Sequence, residues 1–395
     1  MWRLGFFFHE MAFGLLSVFL PLYIVAIGGS LVDLGVMSSM ALFLAIPASY
    51  FWGYMCDKTR RYKRCILISF LAMSVILYLF TFRSSVSLVI ILYSIMSIFH
   101  VANEPPKNVL ISELYSREEW EKTFALYEGF TEIGWLIGLF LGFLASNYQM
   151  DSKFILLMCS SLNFAAFVLS SVLVADPIIV FERSLVNIER AVEFAYNGLL
   201  IASKILDGAT LNEKLKKEHL SAFCCGLVLF SLATSILFTP LPIFLSRELS
   251  LSTSIIFTVY ILNSGGGIAG YFLASKKLKR RTGKPNVNPI VISRSLLAFL
   301  LAVAASLPMY GVALTVAILI LMGFAYALFL VFTLSLSMEL IPAGRAGLFN
   351  VLVGVGGACG SFIGPFIAQT TGFNQVFLLS GTSFFLAYIF FKIFL

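Results

Sequence analysis

Seven ionisable side chains sit where apolar sequence surrounds them: His9, Glu10, His100, Glu104, Lys107, Glu128 and Glu132. Such groups are costly in hydrocarbon, so each is a candidate for carrying a proton, meeting a charged solute or pairing with another charge. His100, Glu104 and Lys107 are spaced i, i+4, i+7, and Glu128 and Glu132 i, i+4, so each set shares one face of a helix. At about 1.5 Å per residue along two antiparallel helices, Lys107 lies at the depth of Glu128, and His100 at that of Glu132. The spacing predicts an ion pair between Lys107 and Glu128. One lysine cannot neutralise three carboxylates in hydrocarbon, so the surplus predicts protonatable groups facing a cavity. Glu104, Glu132, His100, Glu10 and His9 are the proton-coupling candidates. The competing reading is a structural ion pair with buried, hydrogen-bonded acids. Pro105-Pro106, directly after Glu104, remove backbone donors and predict a bend beside that acid.

These residues need elements that hold them in a membrane. The chain has 395 residues, 59% hydrophobic and 12% charged, where a soluble protein carries about a quarter charged residues. Twelve apolar runs are long enough to cross a bilayer, from Gly5–Ile27 to Gln375–Lys392, in two sets of six. The expected architecture is all-α and integral to the membrane, with six-helix bundles over residues 1–175 and 221–395. Residues 176–220 form the linker; Leu185, Ile188, Val192, Ala195 and Leu199 recur there at helical spacing, predicting an amphipathic surface helix. Of the 27 Lys and Arg, only Arg83, Lys153 and Arg247 fall on one face, and the other 24 fall toward the opposite face. That asymmetry predicts a cytoplasmic basic face with both termini on it, and it explains the net charge of +7 without a nucleic-acid partner.

Cys56, Cys65, Cys159, Cys224, Cys225 and Cys359 show no metal-ligand spacing and read as small packing residues. Neither a metal nor a cofactor is called for. Gly265-Gly266-Gly267 has no Walker sequence after it and reads as close packing. Tyr23, Tyr260, Asn263, Tyr326 and Asn350 are polar enough to line a cavity, although Tyr and Asn in spans also serve as helix-to-helix bonds. A membrane enzyme would need a His/Asp/Glu constellation near one membrane face, and no paired motif of that kind occurs.

The halves repeat. Gly53-Tyr54 returns as Gly270-Tyr271, each before a basic turn, and Gly134, Gly138 and Gly142 return as Gly356, Gly360 and Gly364. Small residues one turn apart let helix backbones approach closely. The turn Gly53-Tyr54-Met55-Cys56-Asp57-Lys58-Thr59-Arg60-Arg61-Tyr62-Lys63-Arg64 resembles the signature between the second and third helices of the major facilitator superfamily. The usual glycine is Arg60 here, and a usual basic residue is Tyr62. The resemblance implies two parallel six-helix halves, a solute site between them, and alternating access. It implies that Asp57 is a gate acid meeting the helix start at Gly344–Gly347, with Lys58 and Arg61 beside it and Gly53 allowing close approach. The expected function is secondary transport of a small organic solute, proton-coupled and by antiport as efflux, in a cell membrane and as a monomer. A proton-coupled or passive importer is the alternative, and a non-transporting membrane protein the third reading.

Overall fold

The computed structural model describes residues 2–82, 85–114, 120–176, 220–278, 286–307, 311–340 and 347–394. In lipid every backbone polar group must be satisfied within the chain, which leaves helices as the simplest spanning element. Among the described residues the elements are all helical. They are α1 (Arg3–Ala26), α2 (Leu31–Thr59), α3 (Tyr62–Leu79), α4 (Val86–His100), α5 (Glu104–Leu114), α6 (Trp120–Asn147) and α7 (Ser152–Leu173) in the first half. The second half holds α8 (Leu220–Phe238), α9 (Leu241–Arg247), α10 (Thr253–Leu278), α11 (Asn288–Ala305), α12 (Gly311–Leu340), α13 (Gly347–Thr370) and α14 (Phe373–Phe394). The pairs α4–α5 and α8–α9 each make one span, giving twelve candidate spans. Lipid-facing side chains are apolar: Phe43 is 65% exposed and Val172 77%. A soluble domain would not leave such rings and branches to water in these numbers.

Helix ends follow local chemistry. Ser30 and Asp33 form a capping box at the start of α2: the Ser30 side chain accepts from the Asp33 N–H, and the Asp33 carboxylate accepts from the Ser30 N–H. Arg60, where the superfamily has glycine, adopts φ 52° and closes α2 in a left-handed cap. Glycine takes that conformation without a steric penalty, which is a physical reason for its usual presence there.

The repeat extends to individual bonds. The Cys159 thiol reaches the Ala12 carbonyl at 3.8 Å, and the Ser380 hydroxyl donates to that of Ala233 at 2.8 Å, both pairs 147 residues apart in sequence. Ser74 Oγ donates to the Ser160 carbonyl and Ser295 Oγ to the Gly381 carbonyl, both pairs 86 residues apart. Every partner recurs 221 positions later, for example Ala12 as Ala233 and Ser74 as Ser295. The glycines behave alike: a Cβ at Gly134 or Gly138 would collide with α1 backbone oxygens, and one at Gly356, Gly360 or Gly364 with those of α8. Gly142 departs from its counterpart and packs on Phe257 of the other half.

The halves meet through α2 on α13 and α6 on α10, two contacts exchanged by the same pseudo-symmetry. The described bonds there lie away from the basic turn. The Val32 N–H donates to Gln369 at 2.9 Å, and Gly35 lies against Ser361, Phe362 and Pro365. At the basic-turn end, a Cβ on Gly53 would meet nothing within 4 Å. Among the described residues the halves are apposed at the end that carries Val32 and Gln369.

The amphipathic helix expected in the linker, the Asp57 and Asn350 side chains, and the helix start at 344–346 lie outside the described residues.

Candidate functional site

The bend predicted at the prolines is a 3-10 turn, Val101–Asn103, between α4 and α5. Pro105 and Pro106 fall in the first turn of α5, where a missing N–H costs little. The Glu104 N–H bonds Val101 in place of the α-helical i→i+4 bond to the His100 carbonyl, which also accepts from side chains. Asn103 donates to it at 2.8 Å and Ser69 at 3.4 Å. Three residues wound at 3.0 per turn rotate the chain by roughly 60° relative to an α-helix. That rotation breaks the single face expected for His100, Glu104 and Lys107.

The fourth span consequently serves two clusters. Toward the N-terminal bundle core, His9 Nδ1 lies 2.7 Å from Asn163 Oδ1 and so donates to it, and His9 Nε2 lies 3.1 Å from His100 Nδ1. The imidazoles stack with ring centroids 5.2 Å apart. Asn103 joins this network through Ser69 at 3.2 Å. His9 and Asn163 are almost completely buried. Among the described residues no third His, Cys, Asp or Glu converges on the pair as a metal ligand.

Past the turn, Lys107 Nζ is 2.6 Å from Glu104 and 3.8 Å from Glu128, and 5.4 Å from the centre of the Tyr127 ring. The expected Lys107–Glu128 pair is present at 3.8 Å, and Glu104, one turn away on the same helix, is the nearer partner. Glu10 lies within electrostatic reach of Lys107, Glu104, Glu128 and Glu132, without an ion pair among the described residues. Glu132 leaves this cluster for the other half, where the Ser264 hydroxyl donates to its carboxylate at 2.6 Å. Ser264 is a partner that sequence reasoning missed.

The second half contributes a cation of its own. Arg294, in α11, is completely buried, and none of its three guanidinium nitrogens has a hydrogen-bond partner among the described residues. Four rings surround it: Phe384 at 4.8 Å, Phe230 at 5.0 Å, Tyr326 at 5.4 Å and Phe238 at 5.8 Å. Tyr326 and Tyr271 also feel Glu132 and Glu128, so ionisable groups form an arc from Lys107 to Arg294 across the halves. Reasoning from sequence placed nearly all intramembrane charge in the first half and overlooked Arg294. The signal was present, since Arg294 is the seventh residue of a helix that begins at Asn288.

A cavity of about 270 Å³ lies between the halves, lined by α1, α2, α4, α6 and α8. Its polar lining is Ser17, Ser38, Tyr93, Thr234, Ser235 and Thr239, and the acids are not part of its wall. The cavity candidates read from sequence are elsewhere. Asn263 donates to the Leu319 carbonyl at 2.6 Å and acts as helix-to-helix glue. The Tyr260 hydroxyl is buried without a partner among the described residues, and Tyr23 stacks on Phe19. Tyr326 belongs to the Arg294 box.

Comparison with known proteins places this geometry. No curated protein matches the chain in sequence. Its structure is similar to that of a D-xylose–proton symporter, with TM-score 0.74 and 15% identity, covering 100% of this chain and 97% of that one. It is also similar to a POT peptide transporter solved with sulfate, with TM-score 0.73 and 13% identity over 100% and 92% of the two chains. A nucleoside transporter gives TM-score 0.67 and 14% identity over 100% and 98%. At these identities the likeness establishes the fold. The sequence profile of the Major Facilitator Superfamily matches residues 4–355, which carry the basic turn, both ion clusters and the glycines of the first half. This chain is a multi-pass membrane protein that belongs to the Major Facilitator Superfamily of secondary transporters.

Proposed function

We propose that the protein moves a small organic solute across a cell membrane by proton-coupled alternating access, as a monomer with its basic-turn face and termini in the cytoplasm. The observation that carries this reading is the Glu132–Ser264 bond. It ties a carboxylate of one half to a helix of the other, at a contact that must break when the halves rock apart. A protonated Glu132 can hydrogen-bond within its own half, whereas an ionised one needs a donor or water when Ser264 leaves. Lys107 meets Glu104 and Glu128, so Glu10 and Glu132 are the carboxyls left to take up and release protons. Export in exchange for protons is the first direction, because unneutralised acids suit exchange between a cationic solute and protons. Uptake with protons is the second reading. Arg294 favours it, since a cation in the opposite half suits an anionic solute whose charge a co-transported proton offsets.

Purified protein in proteoliposomes, offered a solute panel with and without an imposed pH gradient, tests the reading and its direction. Glu132→Gln is expected to reduce gradient-driven accumulation to background while counterflow of the same solute persists. Wild-type accumulation and pH dependence in both Glu132→Gln and Glu104→Gln would remove these two residues from coupling and leave Glu10 as the candidate.

A further inference from the structure

A fully buried guanidinium with all its nitrogens unbonded is costly, because the charge loses its water and gains no acceptor. The four rings recover part of the cost through their π faces but offer no hydrogen-bond acceptor in the guanidinium plane. The pseudo-symmetric position, 221 residues earlier, is Met73, which is equally buried and carries no charge. The bundle architecture therefore does not require a cation at this place. Arg294 is set apart from the cleft between the halves by single rings. Phe238 is both a wall of the 270 Å³ cavity and a member of the box. Tyr326 is 39% exposed and senses both Arg294 and Glu132.

We infer that Arg294 is an anion-recognition residue, and that the transported solute carries a carboxylate or a related oxyanion that pairs with its guanidinium. The inference deepens the second of the two transport readings, uptake of an anionic solute with protons, and rests on it. A planar guanidinium presents paired donors that match a carboxylate edge to edge, a geometry an ammonium cannot copy. The unbonded donors are then the unfilled half of a recognition pair. The ring of Phe238 or Tyr326 must turn aside for the anion to reach them. Hydroxyls of Thr234, Ser235 and Thr239 on the adjoining wall are placed to hold the rest of a small polar solute.

The test uses the full chain in nanodiscs of zwitterionic phosphatidylcholine, with thermal unfolding as readout and no pH gradient. Acetate, benzoate and succinate are compared at matched ionic strength with acetamide, benzamide and succinamide. At least one carboxylate is expected to raise the melting temperature saturably by several degrees, with no rise from its amide. Arg294→Met is expected to melt at or above the wild-type temperature without ligand, since the uncompensated charge is gone, and to lose the carboxylate shift. Arg294→Lys is expected to keep the fold and retain only part of the shift. A shift undiminished in Arg294→Met, or none from any carboxylate in the wild type, overturns the inference. An Arg294-dependent shift seen only when phosphatidylglycerol is added to the discs also overturns it, by assigning the anion to lipid. Carboxylate binding without proton-driven accumulation would keep Arg294 in this role and count against coupling, so the two readings fail separately.

Discussion

The two halves can be laid over one another at an offset of 221 residues, 222 at the glycines of α6 and α13, and the overlay separates what is shared from what is not. Shared are the Cys159–Ala12 and Ser380–Ala233 bonds, the Ser74 and Ser295 bonds, and the small residues that seat α6 on α1 and α13 on α8. Not shared is the interior they enclose. Where the first half has His9 bonded to Asn163, the second has Phe230 and Phe384. Where the first has Met73, the second has Arg294 between those rings. The first half stores its charge as a network of donors facing acceptors, with a lysine among acids. The second stores one cation among π faces. Backbone packing tolerates either filling, because it depends on where small residues let helices touch. Chemistry has diverged at buried positions that the packing does not specify.

Breaking the charge balance of the first half should have the largest effect. Lys107→Met leaves Glu104 and Glu128 without their cation and is expected to cost about 3 kcal/mol, the low end for breaking a buried pair because both carboxylates are partly exposed, read as a lowered melting temperature and poor yield. Adding Glu104→Gln should restore much of the loss. Strictly additive effects would argue that the 2.6 Å pair is not energetically coupled.

The shared skeleton can be tested next with Gly138→Ala and Gly360→Ala. Each forces a methyl into a neighbouring backbone oxygen, on Met11 and Leu232 respectively. Costs of about 1–3 kcal/mol, similar in the two variants, are expected. Loss of stability in one alone would show that the repeat is not energetically symmetric.

Exchanging the interiors is the third test. His9→Phe places the residue of the second half into the first and strands the Asn163 carbonyl oxygen, costing about 1–2 kcal/mol in thermal unfolding. Adding Asn163→Phe completes the exchange and should recover part of that cost. A double variant that is worse than the sum of its singles would mean that the surrounding side chains have co-adapted to the polar filling.

The smallest stability effect is expected at Gly53. Nothing lies within 4 Å of its missing Cβ, and alanine favours a helix, so Gly53→Ala should be neutral or stabilise by up to about 1 kcal/mol. Transport lost with unchanged melting would place the contact of Gly53 in the other conformation of the cycle. Unchanged transport would leave this glycine with no role in the gate.

How much of the site was legible varies with the residue. Lys107, Glu104 and Glu128 could be brought together by counting rise along two helices, because depth in a membrane is one-dimensional. Their order of preference could not, because the 3-10 turn re-aims α5 and makes Glu104 the nearer partner. The same rotation sends His100 to His9, which depth counting had set beside Glu132. Asn263 read as a cavity residue only because its partner, a backbone carbonyl on α12, leaves no mark in sequence.

The sequence by itself determined the twelve spans, the two halves and the glycine seams. Each depends on composition summed over a window or on a repeat of small residues, and lipid enforces both without regard to distant partners. Only the tertiary structure decided that Glu132 crosses to Ser264, that Arg294 faces rings and no acid, and that the halves are apposed at Val32 and Gln369. Those facts depend on how each helix is rotated about its axis and slid against its neighbours. Rotation and slide are set by the packing of all the side chains at once, so no short stretch of the chain contains them.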